Sequence, residues 1–135
     1  MNSYLAAYIT MVVVMLALDM LWLGVVAKSA YESGIGHLMA AQANVVAAGL
    51  FYLVYALGLS IFVLAPQADT PAWSTTVVKG ALFGFFAYAT YDLSNLATLR
   101  AWPVSLTLLD LAWGTTLSAA CAAAGKAAMH FKQIA

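Results

Sequence analysis

The chain has 135 residues, 65% of them hydrophobic and 7% charged, with five Lys plus Arg against five Asp plus Glu. A soluble domain carries about 25% charged residues, and so short a chain cannot hide this much apolar surface in a core of its own, so a water-soluble fold is excluded. The neutral balance argues against a nucleic-acid partner, and a single cysteine, Cys121, excludes an intramolecular disulfide.

A membrane helix needs about 20 mostly apolar residues. Four stretches supply them, at roughly 4–27, 40–64, 77–99 and 103–124. The first is read as a retained span rather than a cleaved leader, because no positive segment precedes it, the apolar run is long and Asp19 lies inside it. A polar break, "KSAYESGIGH" from Lys28 to His37, separates it from the second stretch. "PQADTPAWSTT", from Pro66 to Thr76, follows the second and ends in Ser and Thr, which favour helix starts. The third and fourth stretches are joined only by "TLRAWP", in which Pro103 suits a first helical turn, so they are expected to form a tight hairpin. The expected fold is therefore all-α: a single domain over 1–135, an integral membrane four-helix bundle running antiparallel, up-down-up-down. Lys79, Lys126 and Lys132 fall on the side of the termini and Lys28 and Arg100 on the other, a bias toward cytoplasmic termini. A bacterial inner membrane is the expected location.

Three carboxylates lie within the apolar stretches. Asp19 is about eight residues before the end of the first, Asp92 several before the hairpin turn, and Asp110 seven after Pro103. At 1.5 Å of rise per residue each sits roughly 10 Å below one surface, the surface opposite the termini. Each has a partner three residues on, and so on the same helix face: Trp22, Asn95 and Trp113. Tyr88 follows the third helix's face, Asn44 comes from the second stretch near the same surface, and Arg100 is the nearest cation, expected to pair with Asp92 or Asp110. Asp19 is then the candidate for the protonated or ligand-facing member.

A charge at the bilayer centre costs about 2.5–3.5 kcal/mol, and neighbouring anions raise one another's pKa, so three acids in one layer call for a proton, a cation or water. The plainer alternative is structural. Each Asp can be an interhelical hydrogen-bonding group, and each Trp an interfacial belt residue. Gly80-x-x-x-Gly84 fits close helix packing, either within the chain or at a dimer seam. No metal-ligand spacing is present, and no cofactor is indicated.

The run "YDLSNLATLRAWPVSLTLLDLAWGT", with "LDMLWLG" near the start, resembles a family of small bacterial predicted membrane proteins of unknown function. The likeness spans nearly the whole chain and implies a four-span membrane protein, with no reaction or cofactor attached. Three readings stay open. The first is a site that binds a lipophilic or amphiphilic molecule or acts on it by acid–base chemistry, with Asp19, Asp92 and Asp110 as acid, base and orienting group and with Trp22, Asn44, Tyr88, Asn95, Arg100 and Trp113 around the ligand. The second is a proton-coupled transporter of small cations working as a homodimer, and the third is a non-catalytic subunit of a membrane complex. Lipids are the expected surroundings in every case.

Overall fold

The computed structural model describes residues 2–134, and these are all-helical, with no strand among them. Helix α1 (Ser3–Leu21) starts at Asn2, whose side chain accepts from the Leu5 N–H at 2.8 Å, and it runs on as a π-helical turn over Trp22–Val26. A short α2 (Lys28–Ile35) follows, then a 3-10 turn (Gly36–Leu38). Helix α3 (Val45–Leu59) continues through a π turn (Ser60–Leu64) and a 3-10 turn (Ala65–Gln67). The two longest helices are α4 (Trp73–Thr98) and α5 (Val104–Ile134).

Three segments are long and apolar enough to cross a membrane: Ser3–Val26, Val45–Gln67 and Val104–Ile134. Helix α4, with 26 residues, has the length but is not among them. Ser74, Thr75, Thr76, Lys79, Asp92, Ser94 and Asn95 dilute its hydropathy.

Four expected boundaries move, each for a local reason. The second apolar helix starts at Val45 rather than near residue 40, because the Asn44 side chain caps it by accepting from the Ala47 N–H at 3.0 Å. Asn44 is thus an exposed helix cap and not part of a buried polar layer. The polar break after α1 is itself helical. Its Ala, Tyr, Ser and Glu are compatible with helix, Lys28 and Glu32 pair at (i, i+4) spacing across 4.0 Å, and Gly34 lets the segment lie against Leu106 and Pro103. Helix α4 begins at Trp73, with Ala72 at its N-cap making no side-chain bond, so Ser74, Thr75 and Thr76 lie inside it rather than starting it. Helix α5 runs ten residues beyond the expected end near 124. Gly125 does not stop it, because the missing side chain admits Leu64 and Met11, whose nearest atoms would lie 2.7 and 2.9 Å from a Cβ there.

Small residues decide how α4 and α5 meet. A Cβ on Gly80 would lie 2.6 Å from that of Ala122, one on Gly84 would collide with the Gly114 carbonyl and Ser118, and one on Gly114 would enter the Tyr88 ring. Numbers rise on α4 as they fall on α5, so the pair forms a hairpin with its backbones in near contact. Gly80 and Gly84 are therefore used up inside the chain, and the dimer seam considered for them from sequence is not available. The turn is tightened by Ala101, at φ 56°. The core below the hairpin's mouth is Met11, Met15, Leu59, Leu64, Leu117 and Cys121, all under 3% exposed. At the far end Lys126 Nζ donates to the Thr70 and Gln67 carbonyls, at 2.6 and 3.4 Å, and fastens the α3–α4 connection.

Candidate functional site

The outer half of α3 is loosely held. Every residue from Val45 to Val54 is exposed apart from a half-buried Tyr52. Between this segment and helices α1, α4 and α5 lies a partly open cavity of about 580 Å³. Asp19, Asp92 and Asp110 all line it, and they are 4%, 0% and 7% exposed. The three helices thus bring their carboxyl groups to one space.

Their surroundings differ. Asp19 is fully engaged, since one oxygen accepts from Trp113 Nε1 at 2.8 Å and the other from the Tyr52 hydroxyl at 3.0 Å. Asp110 accepts from the Tyr31 hydroxyl at 2.6 Å. That hydroxyl in turn accepts from Trp22 Nε1 at 3.1 Å, and Trp22 stacks on Trp113 with centroids 4.4 Å apart and planes 4° from parallel. Burial holds the Tyr31 hydroxyl well above its usual pKa, and the Asp110 bond raises it further, so Tyr31 keeps its proton and remains a donor. One continuous arrangement, Tyr52–Asp19–Trp113–Trp22–Tyr31–Asp110, therefore crosses from α3 to α1, α5 and α2.

Asp92 stands outside that arrangement. Its carboxyl group faces that of Asp110 at hydrogen-bonding range, and no donor among the described residues reaches either of its oxygens. An orphaned carboxyl costs more than an engaged one, since its desolvation is not offset by a partner. The carboxyl group without a donor is therefore Asp92, while Asp19, the sequence's candidate for the ligand-facing member, has both oxygens engaged.

Arg100 does not meet the expectation of an ion pair. It is exposed in the hairpin turn, and the one ion pair among the described residues is Lys28–Glu32. Ala101 turns the chain in the left-handed region, and it is Trp102, after it, that folds inward. The Trp102 ring is buried, its Nε1 donates to the Thr107 hydroxyl at 3.1 Å, and that hydroxyl donates to the Pro103 carbonyl at 3.0 Å. No Lys, Arg or His lines the cavity.

Among the other residues singled out from sequence, Tyr88 and Trp113 line the cavity, while Trp22 reaches it only through Trp113 and Tyr31. Neither Asn44 nor Asn95 lines it. Tyr52, which follows Asn44 further down the second stretch, does line the cavity, as do three tyrosines that the sequence does not single out, Tyr31, Tyr55 and Tyr91. The (i, i+3) register of α4 could have found Tyr91, three residues after Tyr88. Nothing local marks Tyr31, which arrives from the segment read as a loop. Among the described residues no group of three His, Cys, Asp or Glu could hold a metal ion.

No curated protein and no solved structure matches the chain. Residues 4–127, carrying all three cavity carboxylates and the hairpin turn, match one family described as a predicted membrane protein of unknown function, and the chain belongs to that family, DUF2177.

Proposed function

We propose that this protein is an integral four-span bundle of the bacterial inner membrane, running up-down-up-down with its termini in the cytoplasm. Its cavity binds a lipophilic or amphiphilic small molecule and acts on it by acid–base chemistry at Asp92 and Asp110. One observation carries this reading: a fully buried carboxyl group with no donor on either oxygen lines a cavity large enough for a ligand. Two facing carboxyl groups without a cation need a proton between them, and such a pair can give a proton at one oxygen and take one at another. Asp110 is oriented by Tyr31, and Asp92 is the partner that no donor holds. Asp19, with both oxygens engaged, positions Trp113 and Tyr52 rather than reacting. Helix α4 crosses in spite of its polar residues because Asp92, Thr76, Gly80 and Gly84 are buried, most of them against α5.

The test is native mass spectrometry of the purified protein and of Asp92→Asn. A co-purifying species carried by the wild type and absent from the variant is expected, and identical spectra would remove Asp92 from any binding site. Topology is checked with single cysteines at Glu32 and Lys132. Only the Lys132 position is expected to react from the cytoplasmic side, and labelling of Glu32 from that side would reverse the orientation.

A further inference from the structure

The cavity wall is acidic and aromatic, with no compensating cation. Its acids are unequally served, for the two Asp92 oxygens are the acceptors left without a donor, and they face Asp110. Its rings meet in corners. Tyr55 and Tyr88 stand at 90° with centroids 6.1 Å apart, and Tyr91 and Trp102 at 82° and 5.9 Å. Perpendicular rings beside a carboxylate offer a cation both a π face and a counter-charge, whereas an anionic head group would meet the negative charge of the Asp92–Asp110 pair with no cation to offset it. The orphaned oxygens add a further selection, because they call for N–H donors that a quaternary ammonium lacks.

Resting on the reading of the cavity as a ligand site, we propose that its ligand is an amphiphile with a primary ammonium head group. The nitrogen sits beside the facing pair of Asp92 and Asp110, inside the corners made by Tyr55, Tyr88, Tyr91 and Trp102. The apolar tail leaves along Phe51 of α3, toward the bare outer half of that helix.

The experiment is calorimetric titration of the full chain in maltoside micelles near neutral pH with three probes of one tail length: dodecylamine, dodecanol and dodecanoate, each corrected for empty micelles. Dodecylamine is expected to saturate one site at least about tenfold more tightly than the other two. It should lose about tenfold or more in Asp92→Asn, with the variant's helicity and melting point showing that it is folded. Asp110→Asn serves as the second variant. Equal binding of the alcohol or the carboxylate would overturn selection for ammonium and leave the lipophile site standing. Amine binding unchanged in both variants would overturn the placement of the head group. Saturable binding of none of the three would remove the site together with this inference.

Discussion

The two ends of this molecule are packed by opposite rules. On the side of the termini and at mid-height, Gly80 and Gly84 bring backbones close and Gly114 and Gly125 admit neighbouring side chains, so that an added methyl group has nowhere to go. Toward the hairpin turn the outer half of α3 stands off from α1, α4 and α5 around large rings and carboxyl groups and leaves a cavity. Glycine near-contact supplies dispersion where lipid provides no hydrophobic drive between helices, and it holds the frame. A rigid lower half makes it possible for the upper half to keep an unsatisfied acid without collapsing onto it.

The comparison is easiest to break at the seam. Gly84→Val would push two methyl groups and a Cβ into the Gly114 carbonyl and Ser118, with an expected loss of about 3 kcal/mol or failure to fold, read by denaturant titration in micelles. Gly24→Ala, where nothing lies within 4 Å, should leave the midpoint unchanged, and an equal loss there would show that the seam is not special. Asp19→Ala leaves Trp113 Nε1 and the Tyr52 hydroxyl without their acceptor and is expected to cost about 1–3 kcal/mol. Asp92→Asn should behave in the opposite way. It removes a buried acid that has no donor and supplies an amide that can donate to Asp110, so the melting point should hold or rise by the equivalent of about 1 kcal/mol. A loss as large as that of Asp19→Ala would mean that the two carboxylates are equally structural. The smallest effect belongs to the turn, where Ala101→Gly relieves a left-handed backbone and is expected to stabilise by about 0.5–1 kcal/mol, measured on the same titration.

What could be read from the residues follows the range of the forces involved. Three candidate spans announce themselves through hydropathy, and the meeting of Asp19, Asp92 and Asp110 in one cavity follows from counting residues along helices of fixed rise. Membership of the family could be read from the Asp and Trp-Pro motifs of the hairpin. Helix ends were less legible. Asn44 acts as a cap within its own turn, and Gly125 is tolerated because of Leu64 and Met11, which are distant in sequence. Least legible was the hydrogen bonding. Trp113 lies three residues from Asp110 yet donates to Asp19, 94 positions away, while Asp110 is served by Tyr31, 79 positions away. Spacing along one helix gives the face a side chain occupies, and the partner across the bundle depends on helix rotation, which the pattern does not encode.

The stacked indoles of Trp22 and Trp113 join the first and last long helices, at 4.4 Å and 4°. Two aromatic chromophores so close share their excited states, and their near-ultraviolet circular dichroism therefore depends on both. The protein carries its own optical gauge of whether those helices stay clasped, readable without a label and silenced by changing either ring to leucine.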